Sequence, residues 1–260
     1  MAGRKGYVDP AYLESLAKFV RHLKQRSYEL MRVAPGQRIA DLGCGPASDT
    51  LALGALVGAA GRVIGIDNDP QMIAEAERRR LQADGALPVE HRLADARAMP
   101  FDDGHFDACR CERLFQHLAP PEPGMREMVR VTRRGGWIVA LDTDWGSASI
   151  DSAETGIERR IARARAERWL PNGYAGRQLF RLFAAHGLAD ISVELHPLLT
   201  RDYGFARQAG VLDQVESEAL AAGEVSEDEL GRWRADLEKA DAEGLFFGAV
   251  MQVLIAGRKP

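Results

Sequence analysis

Cysteine is scarce in this chain of 260 residues, which has only three, at positions 44, 109 and 111. An odd, small number without paired spacing does not suit the disulfide framework of a small secreted domain or a zinc site. Long apolar runs are also missing, because no stretch approaches the ~20 residues that a membrane-spanning helix needs. The first nine residues are polar and unlike a signal peptide. These absences predict a cytoplasmic protein with no inserted membrane segment and no metal.

An excess of charge of either sign is absent as well. The chain has 34 basic and 38 acidic residues, for a formal net charge of −4, and its longest basic run is Arg78–Arg80. Such a balance provides no positive field to hold a polyphosphate, so we expect no nucleic-acid partner. The length fits one α/β domain with additions.

Short apolar segments alternate with helical patterns through the first half of the chain. The predicted strands are Arg38–Leu42, Arg62–Ile66, Val89–Leu93, Phe106–Cys111 and Trp137–Leu141. Two more are predicted at Ile191–Leu195 and Phe246–Ile255. Strands that alternate with helices are typical of a parallel sheet covered on both faces, so we predict a doubly wound α/β fold.

Three segments depart from this alternation. Asp9-Pro10 is a helix-start signal, and apolar residues then recur at helical spacing, which predicts an amphipathic helix over residues 10–32. Two insertions, at about 146–175 and 200–245, are expected to cap a binding site, because binding segments usually lie on connections.

A glycine-rich turn follows the first predicted strand, in the sequence Asp41-Leu42-Gly43-Cys44-Gly45-Pro46-Ala47. Glycine lets a ligand approach the backbone, and the next helix offers free N–H groups. Asp67 ends the second strand 22 positions after Gly45, where a carboxylate can accept both ribose hydroxyls. These features favour an adenosine-containing ligand but are shared by nicotinamide- and flavin-binding domains.

The third and fourth strands carry the discriminating features. Asp95-Ala96 follows the third strand within a segment that runs from Leu93 to Asp107, and Arg126–Val131 and Gly135-Gly136-Trp137 come after it. With these motifs, residues 33–141 resemble class I S-adenosylmethionine-dependent methyltransferases, especially the branch of ubiquinone and menaquinone biosynthesis. Two residues depart from the family pattern: Ala47 replaces its third glycine, and Arg134 replaces a proline.

The resemblance implies a Rossmann-like sheet of seven strands, mostly parallel with the last strand antiparallel, with residues 33–260 as the methyltransferase domain and 1–32 as a helical lid. It also implies contacts to S-adenosylmethionine by residues at the strand ends. We expect Asp41, Gly43, Cys44 and Gly45 at the methionine portion, Asp67 at the ribose, Asn68 and Met72 beside the adenine, Asp95 and Ala96 at its edge, and Glu112 and Arg113 facing the methyl donor.

Candidate residues for the methyl acceptor are less constrained. His117 is the nearest candidate for a general base, although a histidine at the start of a helix is more often structural. Substrate contacts are predicted for Tyr7, Asp144, Trp145, Asn172 and Arg177. For Asp142 and Asp144, strand termination and helix capping explain the two carboxylates as well as a role in substrate binding does. The charge run from Arg159 to Arg168 is interpreted as a solvated helix face.

Together these features predict a methyltransferase, a monomer or homodimer, that acts on oxygen, nitrogen or carbon of a small, planar metabolite of the quinone, phenol or secondary-metabolite class. In-line transfer requires mainly positioning and exclusion of water, because a sulfonium methyl is already activated. Two alternatives stay open: a nicotinamide-dependent oxidoreductase and a non-catalytic adenosyl-binding protein.

Overall fold

The computed structural model describes residues 20–83 and 85–260. Its centre is a seven-stranded sheet. The strands are β1 (Arg38–Leu42), β2 (Arg62–Asp67), β3 (Val89–Leu93), β4 (Phe106–Glu112), β5 (Thr132–Ile150), β6 (Ala189–Thr200) and β7 (Gly248–Arg258). Their order is β3-β2-β1-β4-β5-β7-β6, and β7 alone among them runs antiparallel to its neighbours. The predicted fold class is confirmed.

Helices cover both faces of the sheet. They are α1 (Arg21–Leu30), α2 (Ser48–Val57), α3 (Pro70–Gln82), α4 (Glu122–Val131), α5 (Thr155–Ala164), α6 (Ala175–Ala185), α7 (Tyr203–Gly210), α8 (Leu212–Ala221) and α9 (Glu227–Ala242). A 3₁₀ turn spans Phe115–His117, and a π-helical turn spans Arg165–Trp169. In the described part of the chain, no helix is long and apolar enough to cross a membrane.

Two apolar cores lie against the two faces of the sheet. One packs Met125 and Met128 of α4 against the strands, and the other packs Leu23 of α1 and Leu53 of α2 against them. The central strands therefore bury side chains on both faces, in agreement with the short apolar runs Val63–Ile66 of β2 and Trp137–Leu141 of β5. This arrangement leaves the carboxyl ends of the parallel strands open to a ligand.

A third apolar core lies in the cap, which we define as α5, the π turn and α7–α9. Its members include Ile157 and Ile161 of α5, Val215 of α8 and Trp233 of α9, and Trp233 is fully buried. Ser226 and Glu229 form a capping box at the start of α9. The cap packs as a small helical unit of its own beside the sheet.

The ends of several elements differ from the predictions. β5 continues to Ile150, nine residues beyond the predicted Leu141, because β7 pairs antiparallel with it as far as Ile150 and Gly248. The predicted helix over residues 10–32 is observed at Arg21–Leu30, and its first part lies outside the described residues. The helix that begins at Thr155 changes from α to π geometry at Arg165.

Candidate active site

The glycine-rich turn leaves β1 in a left-handed conformation. Gly43, Gly45 and Ala47 have φ values of +69°, +51° and +72°. A Cβ atom added at Gly45 would meet nothing within 4 Å, whereas one at Gly43 would lie 3.3 Å from Leu114 Cδ1. The backbone at Gly45 is thus open to a ligand, as glycine permits.

Asp67 connects this turn to the end of β2. Its carboxylate accepts hydrogen bonds from the backbone N–H groups of Gly45, at 3.0 Å, and Asp69, at 2.9 Å. Desolvation raises its pKa above the ordinary value. Each carboxylate oxygen has two lone pairs, so both can still accept a bond from a ligand hydroxyl.

The predicted adenine-binding residues occupy three different environments. Met72 and Ala96 are buried, while Asn68 is exposed. The Asp95 carboxylate, 39% exposed, is held by its neighbour Arg97, whose Nη2 lies 2.7 Å from Oδ2. Asp95 must therefore share its carboxylate with Arg97 if it also contacts a base.

A buried ionic cluster lies below the turn and consists of Lys24, Asp41, Asp49, Arg110 and Glu112. Arg110 Nη1 is 3.2 Å from Asp41 Oδ1 and 2.8 Å from Asp49 Oδ1, and its Nη2 is 3.0 Å from Glu112 Oε2. Lys24 Nζ is 2.9 Å from Glu112 Oε2 and also pairs with Asp49. Tyr28 donates its hydroxyl hydrogen to Asp49.

The cluster contains three carboxylates and two cations, so it favours retention of one proton. Desolvation raises the pKa of Asp41 to about 7, against the opposing charge of Arg110. Burial also opposes ionisation of Glu112, but Lys24 and Arg110 outweigh it and lower its pKa. Asp41 Oδ2 is buried and has no hydrogen-bond partner among the described residues, so it can accept a bond from a cationic ligand.

Lys24, Tyr28, Asp49 and Arg110 were not identified from the sequence. The available signal was Arg110 itself, a charged residue between two cysteines in an otherwise buried strand. Buried charges are paired or functional, so its position in β4 indicated acidic partners nearby.

A cavity lies beside the carboxyl ends of β4 and β5 and extends under the cap. Glu112 and Arg113 reach it from β4, Trp145 from β5 and Trp233 from α9. Most of its other lining is apolar, including Leu141, Ile161, Leu198, Phe205, Leu212 and Val215. Arg113 has a φ of +52° and donates its backbone N–H to Leu141 O at 2.7 Å. Such strained residues cluster at functional sites.

The structure separates the residues predicted to bind the acceptor. Trp145 lines the cavity and donates its Nε1–H to Gln116 Oε1 at 2.8 Å. Asp144 and Arg177 form an ion pair with each other, at 2.8 Å, and do not line the cavity. Asn172 donates to Phe115 O at 3.3 Å. Tyr7 lies outside the described residues.

His117 lies on the 3₁₀ turn and is not among the residues that line the cavity. Asp142 holds this turn by accepting the N–H groups of Phe115, at 2.7 Å, and Gln116, at 3.3 Å. His117 is exposed to solvent as a residue, but neighbouring protein atoms partly desolvate its ring. This desolvation, with the charge of Arg113, lowers the pKa of His117 to about 4, so the ring is neutral at pH 7.

The charge run from Arg159 to Arg168 is only partly a solvated face. Arg163 and Arg168 are exposed and pair with Glu224. Arg165 is buried, at 5% exposure, and its guanidinium carbon lies 3.4 Å from the centroid of the Trp145 ring. The interpretation as a solvated face is therefore wrong for Arg165, because it follows the buried residues Ile157 and Ile161 at helical spacing and so lies on the buried face of α5, beside the cavity.

The sheet order, the open glycine turn and the acidic strand ends define a class of protein, the Rossmann-like methyltransferases. A family model described as a methyltransferase domain matches residues 40–140. The chain is 34% identical over 253 residues to an uncharacterised 37.1 kDa protein of transposon TN4556 from Streptomyces fradiae, across 96% of this chain and 71% of that protein. The chain belongs to the S-adenosylmethionine-dependent methyltransferases, and S-adenosylmethionine is its cofactor.

Two further proteins show how this likeness extends. The demethylmenaquinone methyltransferase of Desulfitobacterium hafniense is 30% identical over 119 residues, which cover 46% of this chain and 47% of that protein. The geranyl diphosphate C-methyltransferase of Streptomyces coelicolor, solved with Mg²⁺, geranyl diphosphate and S-adenosyl-L-homocysteine, has a TM-score of 0.60 and 17% identity. That comparison covers 96% of this chain and 82% of the other.

Proposed function

We propose that this enzyme methylates an oxygen, nitrogen or carbon atom of a small, planar and largely apolar metabolite, of the quinone, phenol or secondary-metabolite class. The observation that carries the proposal is the apolar cavity, which adjoins Glu112 and Arg113 at the carboxyl end of β4. The likeness to a demethylmenaquinone methyltransferase supports a planar, apolar acceptor.

The residues at the strand ends fit the cofactor. The open space at Gly45 leaves room for the cofactor. The Asp67 carboxylate can still accept hydrogen bonds from two ribose hydroxyls. Asp41 Oδ2 can accept a hydrogen bond from the ammonium group of the methionine portion. Met72, Asn68, Asp95 and Ala96 would surround the adenine, with Gly43, Cys44, Glu112 and Arg113 toward the methionine and methyl groups. When bound, the cofactor supplies an activated methyl group.

The chain's own contribution to the reaction is positioning and exclusion of water. Apolar side chains of the cap and of β5 enclose the acceptor, so a nucleophile held in line at ~3 to 3.5 Å from the methyl group reacts without competing hydration. A neutral His117 can accept a proton in principle, but its place outside the cavity lining does not support direct contact with the acceptor. Its role as a base stays a prediction.

The test is incubation of the purified protein with methyl-labelled S-adenosylmethionine and panels of hydroquinones, phenols, aromatic amines and enolisable ketones. The expected result is label in one chemical class, with one S-adenosylhomocysteine released per methyl transferred. Calorimetric titration with S-adenosylhomocysteine provides the control for an intact cofactor site. Tight cofactor binding without label in any class would favour a non-catalytic adenosyl-binding protein.

A further inference from the structure

Two residues in the cap part of the cavity have polar groups that the proposed methyl transfer does not use. Arg165 begins the π turn, is almost fully buried and lines the cavity. Trp233 of α9 also lines it and is fully buried. Both belong to the cap and not to the sheet that carries the cofactor residues.

Trp233 Nε1 is buried and has no hydrogen-bond acceptor among residues 20–83 and 85–260. A buried donor without an acceptor is unfavourable, so such a group in a native structure requires an explanation. An acceptor atom of a ligand in the adjoining cavity would satisfy it.

Arg165 is held in a fixed orientation by its stack on Trp145, at 3.4 Å. A guanidinium that stacks through its face keeps its N–H groups at the edge, in the plane where a carboxylate binds. The π-helical turn that begins at Arg165 is a rare conformation that occurs frequently at functional sites.

The charge of the cavity wall favours an anion. Its two acidic residues already have cationic partners: Glu112 pairs with Lys24, Arg110 and Arg113, and Glu158 pairs with Arg159 while accepting a hydrogen bond from the Ile150 N–H at 3.0 Å. Arg165 is the cation that the cap contributes to this mainly apolar lining. An anion in the cap part of the cavity is attracted by its guanidinium group.

We propose that Arg165 and Trp233 form a subsite for a carboxylate on the methyl acceptor, which makes the substrate class an apolar, planar carboxylic acid. This inference rests on the proposed function, because it uses the same cavity as the acceptor site. The carboxylate accepts hydrogen bonds from the guanidinium of Arg165 and the indole N–H of Trp233. The apolar body of the acceptor extends along the cavity toward Glu112.

The experiment titrates the protein, saturated with S-adenosylhomocysteine, with 2-naphthoate and with 2-naphthamide, which have the same shape but differ in charge. We expect wild-type protein to bind the naphthoate at least tenfold more tightly. Arg165→Gln should abolish this preference, Arg165→Lys should keep part of it, and Trp233→Phe should weaken the naphthoate about threefold to tenfold.

Arg163→Gln is the matched control, since Arg163 lies two residues earlier, near the end of α5, but is exposed and paired with Glu224. It should leave the preference unchanged. Equal affinity of wild-type protein for the two probes, or failure of both to bind, would overturn the carboxylate subsite. S-adenosylhomocysteine binding is measured in the same samples, so loss of the cofactor site, which would contradict the proposed function, is seen separately.

Discussion

At the scale of single residues, the turn after β1 combines an open backbone with one strained position. Ala47 has a φ of +72° and is fully buried. In the sequence, this alanine stands where the methyltransferase pattern has its third glycine. The structure shows that its conformation is the one that glycine favours, at a cost of ~1 kcal/mol for a residue with a Cβ. Gly43 and Gly45 therefore contribute in two ways: they adopt the left-handed backbone without strain, and they leave space for a ligand.

Gly45→Ala separates these two roles. The new methyl group would contact nothing in the protein, so the free energy of unfolding should fall by only ~1 kcal/mol, from the left-handed backbone. Affinity for S-adenosylhomocysteine should fall more than tenfold, because the methyl group occupies space proposed for the cofactor. Calorimetry and urea denaturation measure the two effects.

Gly187→Ala is the control for this pair of measurements. Gly187 has a φ of +72° and open space around it, but it lies just after α6, away from the turn. It should lose similar stability and keep cofactor affinity. Unchanged affinity in Gly45→Ala would mean that the cofactor does not approach this turn.

Asp67→Ala should weaken cofactor binding by 100-fold or more, since two hydrogen bonds to a charged acceptor contribute ~1.5 to 3 kcal/mol each. Asp69→Ala is its neighbouring control. Asp69 accepts the Gln71 N–H at 2.9 Å as the N-cap of α3, so its loss should cost ~1 kcal/mol of stability and little affinity. Equal affinity losses in the two variants would indicate a general effect on the loop.

His117→Ala should change the rate of methyl transfer less than tenfold, because His117 does not line the cavity. A general base contributes ~10² to 10⁴-fold. Single-turnover rates at saturating cofactor measure this directly. A loss of ~10²-fold or more would establish His117 as the base and require it to move toward the acceptor.

At the scale of elements, α1 is attached to the sheet by two different kinds of ion pair. Lys24 is buried and pairs with Asp49 of α2 and Glu112 of β4. Arg26, on the same helix, pairs with Glu194 of β6 and Glu29 at the surface. The ion pairs of Lys24 connect α1 to the buried cluster of the candidate site, whereas those of Arg26 are exposed to solvent.

Lys24→Met should lower the free energy of unfolding by ~3 kcal/mol or more, because it leaves buried carboxylates with too little compensating charge. Arg26→Met should leave the midpoint of urea denaturation nearly unchanged, since exposed pairs contribute little. Equal effects of the two substitutions would show that Lys24 is hydrated and that the cluster is not closed from solvent.

At the scale of the whole molecule, the excess carboxylate of the ionic cluster connects folding to pH. Burial raises the pKa of Asp41 and of Asp142 to about 7, so the folded protein binds more protons than the unfolded chain between the unfolded and folded pKa values. Stability from these groups is present at low pH and is lost as pH rises toward 7. Other carboxylates with lowered pKa values act in the opposite direction.

Asp41→Asn isolates one of these contributions. The difference in unfolding free energy between the wild type and this variant should decrease by up to ~1.4 kcal/mol per pH unit between about pH 4 and 7, and then level off. Urea denaturation at half-unit intervals measures it. A difference that does not depend on pH would show that Asp41 is ionised throughout this range and that another carboxylate holds the proton.

The sequence predicted more of the fold than of the site. Alternating apolar segments gave the seven strands, and the positions of Gly45 and Asp67 after the first two strands placed both at one edge of the sheet, as observed. Acceptor-side predictions were less informative. Asp144 and Arg177 are 33 positions apart, and nothing local indicates that they pair with each other rather than with a ligand.

What the sequence determined by itself depends on neighbours along the chain: strand and helix periodicity, the turn that requires glycine, and motifs at strand ends. Only the tertiary structure decided which charges are buried together and which face the cavity. Arg110 meets Asp41 at a separation of 69 positions, and the guanidinium of Arg165 lies 3.4 Å from the ring centroid of Trp145, a residue of β5. Such contacts depend on how distant elements pack, because burial and charge pairing are set by distances in space and not along the chain.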